Sequence, residues 1–315
     1  MNKSHKESSW YNLPSSIGSL FIDSGAHSLY NKHVLKASKG IAKGKGDYSY
    51  YNLTPGSEFR QYVDEYAQFI KEYGKYIDFY ANVDAIFNPT LTWKIQEYLE
   101  QEHGLRPVPV IHCGADLSWF EKYLDKGYRY IGIGGLGQGV SKRDFLEWGD
   151  RVFSLLCPGP GRLPVIRTHG FAIMSWELLV RYPWFSVDSA SWLKAAAYGQ
   201  VYIPRFSEHA GEFRFDRPPI VMSVSDRSPN REKRGRHLMN IYGEERRILD
   251  LWVKHCGVAL RTTEDQRWGA ITDLRGRARI NLLYFHELAK HLLWPRRFEI
   301  DCKALFTSPY QPKVV

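Results

Sequence analysis

A chain of 315 residues, 43% hydrophobic, is long enough to bury a large core as one large domain or two small ones. The N-terminal stretch MNKSHKESSWYNLPSS has no apolar signal segment, and the longest apolar runs, such as PVPVIHCG, are too short to span a membrane. The four cysteines (Cys113, Cys157, Cys256 and Cys302) are too widely spaced for a zinc pair, so the expectation is a reduced, cytoplasmic protein with no membrane attachment.

The formal net charge is +9 and it is uneven. Residues 1–200 carry 22 Lys/Arg against 20 Asp/Glu, whereas residues 201–315 carry 21 against 14. The densest basic stretch is SDRSPNREKRGRH (225–237), with Arg227, Arg231, Lys233, Arg234 and Arg236. A concentrated positive field favours a polyanion, of which nucleic acid is the commonest.

In chain order, LFIDSGAH (20–27) is a first strand broken at Gly25, and 40–52 reads as a flexible loop suited to a lid. Residues 59–76 have helical spacing, with Phe59, Tyr62, Tyr66, Phe69 and Ile70 able to share a face. YIDFYANVDAI (76–86) is a second strand, and 91–104 a helix closed by Gly104. PVPVIHCG (107–114) is a third strand, 118–127 a short helix, and YRYIGIGG (128–135) a fourth strand. A helix over 142–157 leads to a fifth strand, LPVIRTHGF (163–171). A helix capped by Ser175 leads to a sixth, WFSVDSASW (184–192). VYIPR (201–205) and PIVMSVSD (219–226) are candidates for strands seven and eight. Residues 246–257 and 278–294 are amphipathic helices, the latter with Leu282, Phe285, Leu288 and Leu292 on one face.

Strands apolar on both faces, alternating with helices, indicate a parallel sheet covered by helices. Six units in about 170 residues favour a closed (β/α)8 barrel of the TIM type over a doubly wound sheet. The expected layout is an N-terminal extension (1–17), a barrel (18–300) with basic nucleic-acid-binding elements within 205–297, and a tail (301–315).

Catalytic groups of such barrels sit at the C-terminal ends of strands. Those positions hold Asp23-Ser24-Gly25-Ala26-His27, then Asn82 and Asp84, His112-Cys113-Gly114, Gly134-Gly135-Leu136, Arg167 with His169, and Asp188-Ser189. Any one of them is explained by a cap or turn, but the set suggests a polar ligand pocket. Gly134-x-x-Gly137-x-Gly139 is wrongly spaced and placed for a dinucleotide loop, so no nicotinamide cofactor is expected. Gly134 and Gly135 would instead let a flat heterocycle approach the backbone. Without His-x-His on strand one, no catalytic metal is expected. What remains is carboxylate chemistry, in which two acids run a retaining double displacement at an anomeric carbon.

These motifs resemble the tRNA-guanine transglycosylase superfamily, and within it the short phage-type DNA transglycosylases that install 7-deazaguanine bases. Asp23-Ser24-Gly25-Ala26-His27 is similar to the family's Asp-Ser-Gly-Gly-Phe/Tyr motif, whose aspartate is the acid/base residue. Gly134-Gly135-Leu136 is similar to the Gly-Gly-Leu motif that lines the base. Phe185-Ser186-Val187-Asp188-Ser189 stands where the family has its nucleophilic aspartate. Asp84 looks like the aspartate that binds the guanine edge, and His112 replaces a base-recognising glutamine. The resemblance covers roughly residues 18–195. It implies a TIM barrel, Asp188 as nucleophile, Asp23 as general acid/base, and a pocket of Ser24, Gly25, Asp84, His112, Gly134, Gly135, Leu136 and His169. The family's Cys-x-Cys-x-x-Cys zinc cluster is missing from the sequence, which implies no zinc subdomain and shifts the expected polymer from tRNA to DNA.

The expected reaction exchanges guanine in DNA for a free 7-deazaguanine, preQ0 or a close relative. The target base would leave the duplex first. The alternatives are a tRNA-directed enzyme, an N-glycosidase that transfers the sugar to water, and a non-catalytic nucleic-acid-binding protein.

Overall fold

In the computed structural model the first five strands run parallel in sequential order. The structure describes residues 19–35, 47–136, 140–157, 163–228, 237–262 and 269–292. The chain divides into two compact units between Phe171 and Ala172.

In the first unit, β1 (Phe21–Ile22) pairs with β2 (Phe79–Tyr80), Phe21 opposite Phe79. A bridge between Ala81 and Val108 carries β2 to β3 (Val110–His112). Strand β3 pairs with β4 (Tyr130–Gly134), and β4 with β5 (Arg167–Gly170), Gly132 facing Val110 on one side and His169 on the other. The intervening helices are α1 (Ala26–Leu29) with a π-helical turn (Tyr30–Leu35), α2 (Glu58–Tyr73), α3 (Pro89–His103), α4 (Ser118–Asp125) and α5 (Lys142–Leu156). This is the expected α/β class, a parallel sheet with helical crossovers. No closed barrel is formed among the described residues.

Local chemistry explains where these helices start and stop. The Ser57 hydroxyl accepts from the Arg60 N–H, and Asn88 accepts from Leu91 N–H with Pro89 at the first helical position. Ser141 and Asp144 form a capping box on α5. Gly104, at φ +64°, closes α3 in the left-handed conformation.

Alternation along β4 sends Tyr130, Gly132 and Gly134 to one face. On that face an aromatic layer gathers Phe21, Phe79, Tyr130, His169 and Phe171. Gly132 makes room for it, because a Cβ there would lie 2.4 Å from the Phe171 ring.

The lid expected over 40–52 takes another form in its described part. Tyr51 is buried, Tyr48 donates its hydroxyl to Ile86 O at 2.6 Å, and Tyr50 stacks on His33. Aromatic side chains dock this segment onto the first unit. Residues 40–46 lie outside the described residues.

The second unit holds α6 (Trp176–Arg181), β6 (Ser186–Val187), α7 (Ser191–Ala197), β7 (Gln200–Ile203), β8 (Arg205–Ser207), β9 (Glu212–Arg214), β10 (Ile220–Ser223), α8 (Gly243–His255) and α9 (Leu274–His291). Three expectations are corrected here. Strands β7 and β10, taken from sequence as barrel strands seven and eight, pair antiparallel, Ile220 opposite Ile203. The chain between them is occupied by an antiparallel hairpin of β8 and β9 rather than a crossover helix. Ser175 stands at the N-cap of α6, but its side chain makes no capping hydrogen bond.

The buried face of α9 also differs. It carries Arg277, Ile280, Asn281, Tyr284 and Leu288, while Leu282 is exposed. Two buried polar residues set this phase. Arg277 donates to the carbonyls of Ala196, Ala270 and Ile271. Asn281 donates to Trp192 O and Gln200 O and accepts from Tyr202 N–H. No helix among the described residues is long and apolar enough to cross a membrane.

Candidate active site

Asp23 leaves the end of β1 exposed to solvent, while the adjoining Ser24 is buried with no hydrogen-bond partner for its hydroxyl. The turn that follows depends on Gly25. Its φ is +75°, and a Cβ there would lie 2.7 Å from the Tyr62 hydroxyl oxygen. Two tyrosines one turn apart on α2 hold the strand ends. Tyr62 donates its hydroxyl to Ser24 O at 2.6 Å, and Tyr66 donates to Ala81 O at 2.7 Å. Burial, with the nearby Asp23 charge second, raises the pKa of both phenols, so they remain donors at neutral pH.

The buried centre of the unit is a carboxyl beside an imidazole. Asp84 Oδ2 lies 3.2 Å from His112 Nε2, and both side chains are buried. The contact falls short of hydrogen-bond geometry, which leaves Oδ2 without a satisfied partner. Burial pushes the Asp84 carboxyl up to about 8; the Asp23 charge adds to this, and a backbone hydrogen bond partly offsets it. Burial pushes His112 down to about 3, so its ring is neutral. The pair therefore rests as a protonated carboxyl against a neutral imidazole at pH 7, because a buried charge on either is disfavoured.

Neighbouring elements fix this pair. Thr92, in the first turn of α3, donates its hydroxyl to Ala85 O and accepts from Ala85 N–H, and Asn82 donates to Thr92 O. The loop between them carries Phe87 at φ +64°, a conformation that costs a non-glycine residue roughly 1–2 kcal/mol. Its ring meets His112 edge-on at 5.7 Å and Tyr30 at 5.9 Å.

The glycine edge was expected to face a flat ligand, but its space is shared within the protein. A Cβ at Gly134 would lie 3.1 Å from the His112 ring. One at Gly135, where φ is +104°, would lie 3.1 Å from Cys113 N. The glycines thus let His112 and the Cys113 backbone close on β4. Leu136 beyond them is half-buried and bridges Val140. Burial, chiefly, pushes the Cys113 thiol up to about 11, which disfavours thiolate chemistry at neutral pH.

His169 is placed differently. It stacks on Phe21 at 4.5 Å and 14° within the aromatic layer, so its ring belongs to the packing of the sheet.

In the second unit, Asp188 is exposed just beyond β6. Its Oδ1 accepts from the Ala172 N–H at 3.2 Å, and Ala172 has φ +59°. Among the described residues Phe87 and Ala172 are the non-glycine positions with positive φ, and each adjoins a sequence-selected aspartate or its partner. Sequence reasoning missed both, since neither residue type signals that conformation. Arg227 is exposed. Arg231, Lys233, Arg234 and Arg236 lie outside the described residues.

Chemically, the first unit offers a buried carboxyl with lone pairs to spare, a neutral imidazole and an aromatic edge. That combination suits a planar heterocycle presenting N–H donors. Compared with known proteins, the chain matches no family model, no curated protein and no solved structure.

Proposed function

We propose that the protein is a DNA-guanine transglycosylase, which exchanges guanine for a free 7-deazaguanine base such as preQ0 through a covalent Asp188–deoxyribosyl intermediate. The observation that carries this reading is the buried Asp84–His112 pair, 3.2 Å apart, on a unit whose exposed strand-end carboxylate is Asp23. A carboxylate is the natural acceptor for the adjacent N1–H and exocyclic N–H of a guanine-type edge. The sequential parallel order of β1 to β5 further supports a TIM-type winding over that part of the chain.

In the proposed reaction the Asp188 carboxylate attacks C1′ of a deoxyguanosine drawn out of the duplex. The C1′–N9 bond breaks, its electron pair stays on guanine, and Asp23 supplies the proton that lets the base leave neutral. The incoming 7-deazaguanine then gives its N9 proton to Asp23, N9 attacks C1′, and the ester to Asp188 breaks. Two inversions give net retention, and the kinetics are ping-pong. The exposed bases of the second unit, Arg227 among them, would meet phosphates.

The test is release of labelled guanine from DNA and, in parallel, from tRNA, with and without free 7-deazaguanine. Exchange on DNA that needs the free base supports the reading. Exchange on tRNA alone moves the activity to the other polymer. Base release that ignores the free base and leaves abasic sites makes the protein an N-glycosidase.

A further inference from the structure

We infer that the backbone N–H of Ala172 is a positioning donor for Asp188, held on the carboxylate by the left-handed conformation of Ala172; this rests on the nucleophile role proposed above. The geometry is direct. Ala172 N lies 3.2 Å from Asp188 Oδ1, across 16 residues of chain. Alanine disfavours φ +59°, and glycine, the residue that accepts it freely, is absent at this position. A strained backbone persists only where its surroundings over-determine it, and such positions cluster at functional sites. Here the strained residue is the one whose N–H meets the carboxylate.

The consequence for the reaction follows from lone pairs. A carboxylate nucleophile attacks with one oxygen. A donor fixed on Oδ1 restrains rotation about the Cβ–Cγ bond and so sets the direction from which the carboxylate reaches C1′. It also favours the ionised form, which is the attacking form. Both groups are exposed in the free protein, so water competes with the bond. Covering the site with a nucleotide would exclude that water and strengthen the contact. Alanine rather than glycine keeps the N–H aimed, since glycine would add backbone freedom at the donor.

Replacing Ala172 by lactic acid turns the amide before it into an ester, which deletes the N–H and keeps the side chain. Adduct formation on DNA should slow by roughly ten- to a hundredfold. The Asp188 carboxyl, followed by ¹³C NMR without substrate, should titrate about one pH unit higher than in the parent. Ala172→Gly keeps the N–H but frees the backbone. It should raise Tm by roughly 2–4 °C while slowing adduct formation several-fold, with KM for the free base unchanged. A merely structural role predicts parallel losses of stability and rate. An ester variant with a parental Asp188 titration and an adduct rate within about twofold of parental overturns the inference. Asp188→Asn is the separate control. If it still exchanges base at the parental rate, the nucleophile reading fails, while the NMR titration still decides whether the Ala172 contact exists.

Discussion

Asp84 Oδ2 and His112 Nε2 lie 3.2 Å apart in a buried setting, and Gly134 supplies the space in which the imidazole sits. The pair joins the ends of two neighbouring strand–helix units, since Asp84 belongs to the loop before α3 and His112 ends β3. Burial dominates both ionisations, raising the acid and lowering the base. A ligand that needs a carboxylate acceptor must therefore be bound with loss of a proton.

That coupling gives a pH dependence. Below about 8 burial holds Asp84 protonated, and a guanine-type edge binds best to the ionised form. Affinity for a free 7-deazaguanine should rise as pH climbs from 6, approaching about tenfold per unit, and level off above 8. Calorimetry in buffers of different ionisation heat should detect about one proton released at pH 6.5. Affinity flat from pH 6 to 9 would exclude Asp84 as the ionised reader. Asp84→Asn should bind weakly and without this dependence.

The same group makes a stability prediction of opposite sense. Its folded pKa, about 8, stands well above the ordinary carboxylate range, so folding favours the protonated form. The stabilising preference is complete below about 4 and is lost as pH rises through 8. Asp84→Asn should therefore be more stable than the parent at pH 9, by on the order of a few kcal/mol and with a higher Tm, and the gain should shrink toward pH 4. Equal Tm values at pH 9 would mean that the carboxylate is better accommodated than its burial indicates.

Gly25 and Tyr62 should be coupled. Gly25→Ala suffers both from φ +75° and from a Cβ 2.7 Å from the Tyr62 hydroxyl oxygen. Tyr62→Phe removes the oxygen but not the backbone strain. The glycine substitution should cost less in the Tyr62→Phe background than in the parent, by about 0.5–2 kcal/mol in a denaturation double-mutant cycle. Strict additivity would show that the hydroxyl yields freely and does not clamp the turn after Asp23.

Sequence and structure agree most where local chemistry decides the outcome. Gly104 closes α3 at the position read from the sequence, in the left-handed conformation that favours glycine. The strand-end reading selected Asp84 and His112 from position alone, and the structure brings them together. The failures are tertiary. Nothing in VYIPR or PIVMSVSD announces that they pair antiparallel, because two-faced apolar strands serve either arrangement. On α9 the hydrophobic pattern pointed to Leu282, but Arg277 and Asn281 face inward to bond main-chain groups, and a polar residue in the sequence reads as solvent-facing. The left-handed backbones of Phe87 and Ala172 leave no trace in residue type.

Arg277 supports a fourth prediction. Its guanidinium serves three carbonyls in a buried setting, and burial lowers its pKa. Arg277→Met should destabilise the second unit by about 3–5 kcal/mol, because it strands those acceptors. Arg277→Lys should recover little, since one ammonium cannot reproduce a planar fork. Near-parental urea midpoints for either variant would mean that the carbonyls find other donors.

The account turns on covalent catalysis by Asp188, and trapping the adduct tests it most directly. The protein is incubated with guanine-containing DNA without free 7-deazaguanine, denatured, digested, and mapped by mass spectrometry. The predicted result is a deoxyribosyl ester on the peptide carrying Asp188, absent from Asp188→Asn and discharged when the free base is added before denaturation. An adduct on Asp23, or parental base exchange by Asp188→Asn with no adduct, would contradict it.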